Sequence, residues 1–229
     1  MSNIIYLGYF GSVVRSDCDA RSDADVLCVI ENDVNFDEEN LRKWIVEKVV
    51  VDRVLDISIY SSSRLIEMWN EGHLFAWHIY LESRPFDGYE LFVSQLGAPD
   101  KYNNAVADIL RLNQLLLDVR LSLGNEIVSK VYEAGLIYVA ARNIGISASW
   151  YSKEGLDFSR LSPYSLVFNE KKLGLPIPKE SYAKLIKARH ASMRGGISPY
   201  LSINELISMC DAVLDWSKEI LDFLEKCHE

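Results

Sequence analysis

The stretch "GSVVRSDCDARSDADVLCVI", residues 11–30, decides how this chain is read. It opens on a Gly-Ser pair and closes on an apolar run, with Asp23 and Asp25 one residue apart where the run begins. The run DVLCVIE, residues 25–31, is nearly all apolar, as in a strand covered on both faces at the middle of a sheet. Strand side chains alternate between faces, so Asp23 and Asp25 point the same way. Two carboxylates at ~4 Å in an effective dielectric of ~20 repel by on the order of 4 kcal/mol. A divalent cation between them removes that cost. Mg2+ accepts such oxygen ligands and keeps water and substrate phosphates in its shell.

Further residues extend the pattern on either side. IIYLGYF, residues 4–10, reads as a strand that ends at Gly11. A glycine there lets the backbone approach a phosphate closely. Ser12 offers a hydroxyl and can start a short helix whose N-terminal amides attract anions. Arg15, one turn along, is either a surface cation or a charged fork for a polyphosphate. RVLDISIY, residues 53–60, is a third strand, with Asp56 between Leu55 and Ile57. A lone carboxylate is costly to bury in such a strand. Beside the Asp25 strand, Asp56 completes a three-carboxylate cluster able to hold two metal ions.

The rest of the first hundred residues alternates helix and strand signals. Leu41, Trp44, Ile45 and Val49 recur at helical spacing behind an acidic first turn. SSSRLIEMWNEG, residues 61–72, has serines to cap a helix and a glycine to stop it. RPFDGYE, residues 84–90, suits a short edge strand because of its proline. His73 and His78, among aromatic residues, read as half-buried structural histidines. The composition changes at LGAPDKYNN, residues 96–104, which places a domain over 1–98 and a second over 99–229. In the second, Val106, Ile109, Leu112, Leu116 and Val119 share a helical face. So do Ile127, Val131, Ala134, Tyr138 and Ala141, and so do Leu206, Cys210, Val213, Ile220 and Leu224. A loop-rich part with prolines 163, 176, 178 and 199 precedes the last helix. KARHASMRGG, residues 187–196, reads as a helix C-terminus or as a second polyphosphate contact. The expected fold class is an α+β domain, a mixed sheet with flanking helices, followed by an all-α helical bundle.

The chain of 229 residues is 49% hydrophobic and 25% charged, enough for a packed core. Its net charge of -9 argues against duplex DNA and anionic membranes, which need Lys and Arg against phosphate. It favours a cationic small molecule or a basic partner. The four cysteines (18, 28, 210 and 227) form no CxxC pair, and the four histidines add no zinc spacing. Reduced thiols, no secretory leader and no apolar run of membrane length make a cytoplasmic protein the expectation.

The residues Gly11, Ser12, Asp23 and Asp25, with Asp56 in a later strand, resemble the nucleotidyltransferase fold of the DNA polymerase β superfamily. That pattern runs Gly-Ser, a spacer, Asp-x-Asp with apolar residues behind it, then a third acid. Arg15 and Ser22 are similar to the small bacterial members, including the kanamycin nucleotidyltransferase type. Where the family spells Arg-Gly, this chain has Arg15-Ser16. ARNIGI (141–146) and LDFSRL (156–161) resemble the helical domain of those enzymes, which belongs to the HEPN-like group. No histidine has an arginine at the spacing of HEPN ribonucleases, which disfavours that activity.

The resemblance implies transfer of an NMP from an NTP to a hydroxyl acceptor, with release of pyrophosphate. Two Mg2+ ions would be held by Asp23, Asp25 and Asp56. Gly11, Ser12 and Arg15 would hold the phosphates, and ATP or another NTP would be the substrate. The general base in kanamycin-type enzymes is a helical glutamate; of Glu126 and Glu133, Glu133 is taken here because it is nearer Arg142-Asn143. The acceptor would enter a cleft between the domains, and the acidic chain favours an aminoglycoside-like cation. Such enzymes often form homodimers. The alternatives are a toxin–antitoxin-type transferase acting on a protein partner or an RNA 3′ end, and a nucleotide-binding module without turnover.

Overall fold

The computed structural model describes residues 3–17, 23–32, 37–49 and 51–226. Ser22, Cys18, Cys227 and His228 lie outside them. The chain divides into two compact units, Met1–Asn103 and Asn104–Glu229.

The first unit is built on four strands: β1 (Ile4–Phe10), β2 (Ala24–Ile30), β3 (Leu55–Ser61) and β4 (Ser83–Pro85). Their order is β3-β2-β1-β4. β2, the most apolar of them, is central, antiparallel to β1 and parallel to β3. A parallel pair needs a crossover, and α2 (Glu38–Lys48) lies between those strands in sequence. Asp37 caps α2 by accepting from the Asn40 amide at 3.2 Å. Its buried Leu41 and Ile45 cover one face of the sheet, against Leu7, Val26, Cys28 and Ile57. The other face, carrying Tyr6, Phe10, Leu27 and Val29, is covered by α3 (Ser62–Asn70) and α4 (Leu74–Glu82) through Leu65, Met68, Trp69, Ala76 and Ile79. Ser61 caps α3, accepting from the Arg64 amide at 3.3 Å. The proline-bearing segment forms edge strand β4, paired only with β1.

Several features depart from the sequence expectation in this unit. The stretch 74–82 is helix α4, which was not anticipated because LFAWHIYLE is apolar almost all round and shows no face. His73 caps it, its Nδ1 accepting from the Phe75 amide at 3.1 Å. A short α5 (Leu91–Leu96) follows β4. A further departure is at Ser12, treated with the site below.

The second unit is helical: α6 (Ala105–Ser122), α7 (Lys130–Ser149), α8 (Lys179–Arg194) and α9 (Ile203–Lys226). α7 is buried on nearly every side, through Ala134, Ile137, Ala140, Ala141, Ile144 and Ala148, and is the centre of the core. α6 contributes Ile109, Leu116 and Val119, and α9 contributes Leu206, Cys210, Val213, Ile220 and Leu224. Ile127 is the exception to the predicted stripes: it precedes α7 and is almost fully exposed. The proline-rich part holds a one-turn 3-10 helix (Ser162–Tyr164), a two-stranded ladder of β5 (Val167–Phe168) and β6 (Lys171–Lys172), and then α8. Only Tyr182, Leu185 and Ala188 of α8 are buried, so its apolar stripe is short and the sequence marks its end more clearly than its start. KARHASMRGG is its C-terminus, with the Gly195 amide donating to the Ala191 carbonyl at 2.9 Å.

Candidate active site

The ladder of β2 and β3 pairs Asp25 with Asp56. Partners across a parallel ladder project to the same face, from backbones ~4.8 Å apart. The pleat puts Asp25 on the face of Leu27 and Val29, and Asp56 on the face of Tyr60, which packs against the same cluster. The two carboxylates therefore stand side by side at the starts of their strands. Asp25 is half-buried. Asp56 is exposed, against the expectation of a carboxylate buried in an apolar strand. The reason is topological: β3 is an edge strand, and Asp56 is near its first residue. Asp23 is half-buried and sits immediately before the first residue of β2. The Ala24 amide between the two aspartates donates to the Val54 carbonyl at 2.9 Å, which continues the pairing to the end of the strand.

Gly11 meets the same place from the other side. β1 runs antiparallel to β2, with Phe10 opposite Asp25, so the residue after Phe10 arrives at the aspartate. Gly11 has φ 71 and ψ -136, a backbone conformation that L side chains rarely adopt. A Cβ there would come within 3.1 Å of Asp25 Oδ2 and 3.4 Å of His78 Nε2. It is Gly11, rather than Ser12, that occupies the N-cap of α1 (Ser12–Arg15), and its carbonyl accepts from the Val14 and Arg15 amides at 3.0 Å each. Ser12 is the first helical residue, because the turn that brings the chain to Asp25 requires a positive φ at the cap.

Arg15 closes α1. Its Nε donates to Asp17 at 3.1 Å and its Nη1 to Glu82. Burial favours the neutral form of this guanidinium, yet the bond to Asp17 and the charge of Glu82 outweigh it and hold its pKa above the ordinary value. Two of five donors are so occupied. Glu82 Oε2 also lies 3.0 Å from His78 Nε2, and the His78 ring packs edge-on against Phe10. Glu82 escaped the sequence reading altogether. The only signal was that His78 and Glu82 lie four residues apart, which is informative only once residues 74–82 are known to be helix.

In the second unit Glu133 lies in the first turn of α7, buried, and accepts from Ser122 Oγ at 2.6 Å. Glu126 is exposed ahead of that helix. Arg142 spends a donor on the Phe158 carbonyl at 2.7 Å, so it joins α7 to the LDFSRL stretch.

Among the described residues, no three His, Cys, Asp or Glu side chains are grouped as they are around a bound metal. The donors at the site nonetheless suit Mg2+. It is held by one or two carboxylates with phosphates and water completing its octahedron, and Asp25 and Asp56 form such a pair at the ends of neighbouring strands. No helix among the described residues is long and apolar enough to cross a membrane.

Residues 3–73 match the family model of the nucleotidyltransferase domain. That segment holds Gly11, Ser12, Arg15, Asp23, Asp25 and Asp56, so the first unit is similar to a nucleotidyltransferase domain. Among solved structures it is similar to spectinomycin adenyltransferase AAD(9) from Enterococcus faecialis, determined with ATP and spectinomycin. Identity is 12%, the TM-score is 0.50, and the alignment covers 95% of this chain and 92% of that one. At that identity the likeness is one of fold, a mixed sheet with flanking helices followed by a helical region. None of the curated proteins compared matches this sequence.

Proposed function

We propose that this protein is a nucleotidyltransferase that moves AMP from ATP to a hydroxyl of a cationic small molecule of the aminoglycoside type. The acceptor oxygen forms a bond to the α-phosphorus, the bond from that phosphorus to the bridging oxygen breaks, and pyrophosphate leaves. The acceptor's proton passes to a carboxylate. Asp56 is the residue we assign to that role. Gly11 shapes the turn that receives the polyphosphate, Ser12 holds it through its backbone amide and hydroxyl, and Arg15 offers its remaining guanidinium donors. Asp25 and Asp56, with Asp23 at the start of the Asp25 strand, would hold Mg2+, which would supply charge neutralisation for the phosphates.

The observation that carries this reading is the pairing of Asp25 with Asp56, with Gly11 against the Asp25 carboxylate. A structural role explains it poorly, because like charges opposite each other in a sheet are destabilising. The net charge of -9 and the ATP and spectinomycin in the AAD(9) structure support the choice of donor and acceptor class. The test is pyrophosphate release with ATP, Mg2+ and a panel of aminoglycosides beginning with spectinomycin. We expect release that depends on one acceptor and disappears in Asp23→Ala/Asp25→Ala; equal release by that variant refutes the assignment.

A further inference from the structure

Glu82, at the last position of α4, touches both ends of α1. Its backbone carbonyl accepts from the Gly11 amide at 3.0 Å. Its carboxylate accepts from Arg15 Nη1, and the same Oε2 lies 3.0 Å from His78 Nε2. The side chains of all three are largely enclosed, at 19% exposure for Arg15, 14% for Glu82 and 16% for His78. A four-residue helix is too short to hold its own shape in water. What fixes the Gly11–Arg15 turn must therefore come from outside it, and within these contacts that is Glu82.

We infer that Glu82 is a positioning residue for polyphosphate binding: it presets the Gly11 backbone and the Arg15 guanidinium before nucleotide arrives. His78 backs it, one helical turn earlier, with its ring on Phe10 and its Nε2 on the shared oxygen. Without the carboxylate, Arg15 keeps Asp17 as its exposed partner and loses the contact that draws it to the Gly11 turn. The nucleotide would then have to order the side chain itself, and that lost rotamer freedom weakens binding. The inference rests on the proposed function, since it concerns the phosphates of the same substrate.

The experiment is calorimetric titration of the full chain with ATP·Mg2+ and, separately, with adenosine. Wild type, Glu82→Ala, Glu82→Gln, Arg15→Ala and Arg15→Ala/Glu82→Ala are compared. Glu82→Ala is expected to weaken ATP binding about 10-fold, the scale of one charge-assisted hydrogen bond, and to leave adenosine binding unchanged. Glu82→Gln keeps an acceptor and the shape, and is expected to fall between. In the Arg15→Ala background the Glu82 substitution should add nothing, because its effect passes through Arg15. A general folding defect would lower adenosine and ATP binding together and would persist without Arg15; either result overturns the inference. If Glu82→Ala does not fold, Glu82→Gln carries the test, and ATP affinity within twofold of wild type overturns it. Failure of wild type to bind any NTP overturns the proposed function and this inference with it. Normal NTP binding by Glu82→Ala overturns this inference alone.

Discussion

Replacing Gly11 by alanine tests the geometry of the site without touching any charge. Two costs add. The backbone at φ 71 and ψ -136 is close to glycine-only territory, and holding another residue there costs ~2 kcal/mol. The new Cβ also falls 3.1 Å from Asp25 Oδ2, so the carboxylate has to give by a few tenths of an ångström, for ~1 kcal/mol more. Gly97→Ala is the matched control: φ is 68 and ψ -160, and nothing lies within 4 Å of its Cβ. It bears the strain and escapes the contact. Native-state hydrogen exchange at the β1 and β2 amides reads the first unit alone. Gly11→Ala should lower protection there by on the order of 100-fold and Gly97→Ala by on the order of 30-fold. Gly11→Ala should also weaken ATP binding, whereas Gly97→Ala should not. Protection in Gly11→Ala within threefold of wild type, or equal to that of Gly97→Ala with ATP binding intact, would refute the placement of Gly11 against Asp25.

Other outcomes follow from the same contacts. Asp56→Asn should abolish pyrophosphate release and the Mg2+-dependent part of ATP binding, read by titration with and without EDTA; Mg2+-dependent binding equal to wild type counts against Asp56 as a ligand. Asp37→Ala removes the cap of α2 and should cost ~1 kcal/mol, seen as faster exchange in residues 38–48. Burial pushes the Cys28 thiol up to about 12, and burial with the charge of Asp211 does the same for Cys210. At pH 8 the thiolate fraction is then on the order of 1 in 10,000, so iodoacetamide should alkylate neither residue in the native protein and both in urea, by peptide mass spectrometry. The unfolded chain sheds these protons first, near its ordinary value of 9.0, while the folded chain keeps them. The stabilisation is complete below pH 9 and is lost as the pH rises toward 12, so urea midpoints should fall across that window.

The sequence by itself settled the parts of this protein whose signals are local. An all-apolar run announced β2 as the central strand. Ser61 announced the start of α3, and Pro85 confined β4 to an edge. Gly-Ser followed by Asp-x-Asp, with a third acid at Asp56, indicated the nucleotidyltransferase fold before any coordinate was known. The first three depend on residues a few positions apart, obeying strand or helix geometry; the last is a resemblance to a family pattern. What only the tertiary structure decided depends on contacts between distant segments. The register of β2 on β3 is one, since it sets Asp25 beside Asp56 across thirty-one positions of chain. The exposure of Asp56 is another, because being at an edge is a property of the sheet. The cap at Gly11 and the grip of Glu82 on Arg15 belong here too, the second across sixty-seven positions. Periodicity could not show α4, whose apolar residues run almost all the way round, and without α4 neither His78 nor Glu82 has an address. Sequence pattern reports which residues favour a surface or a core; which partners they meet there is fixed by packing the segments together.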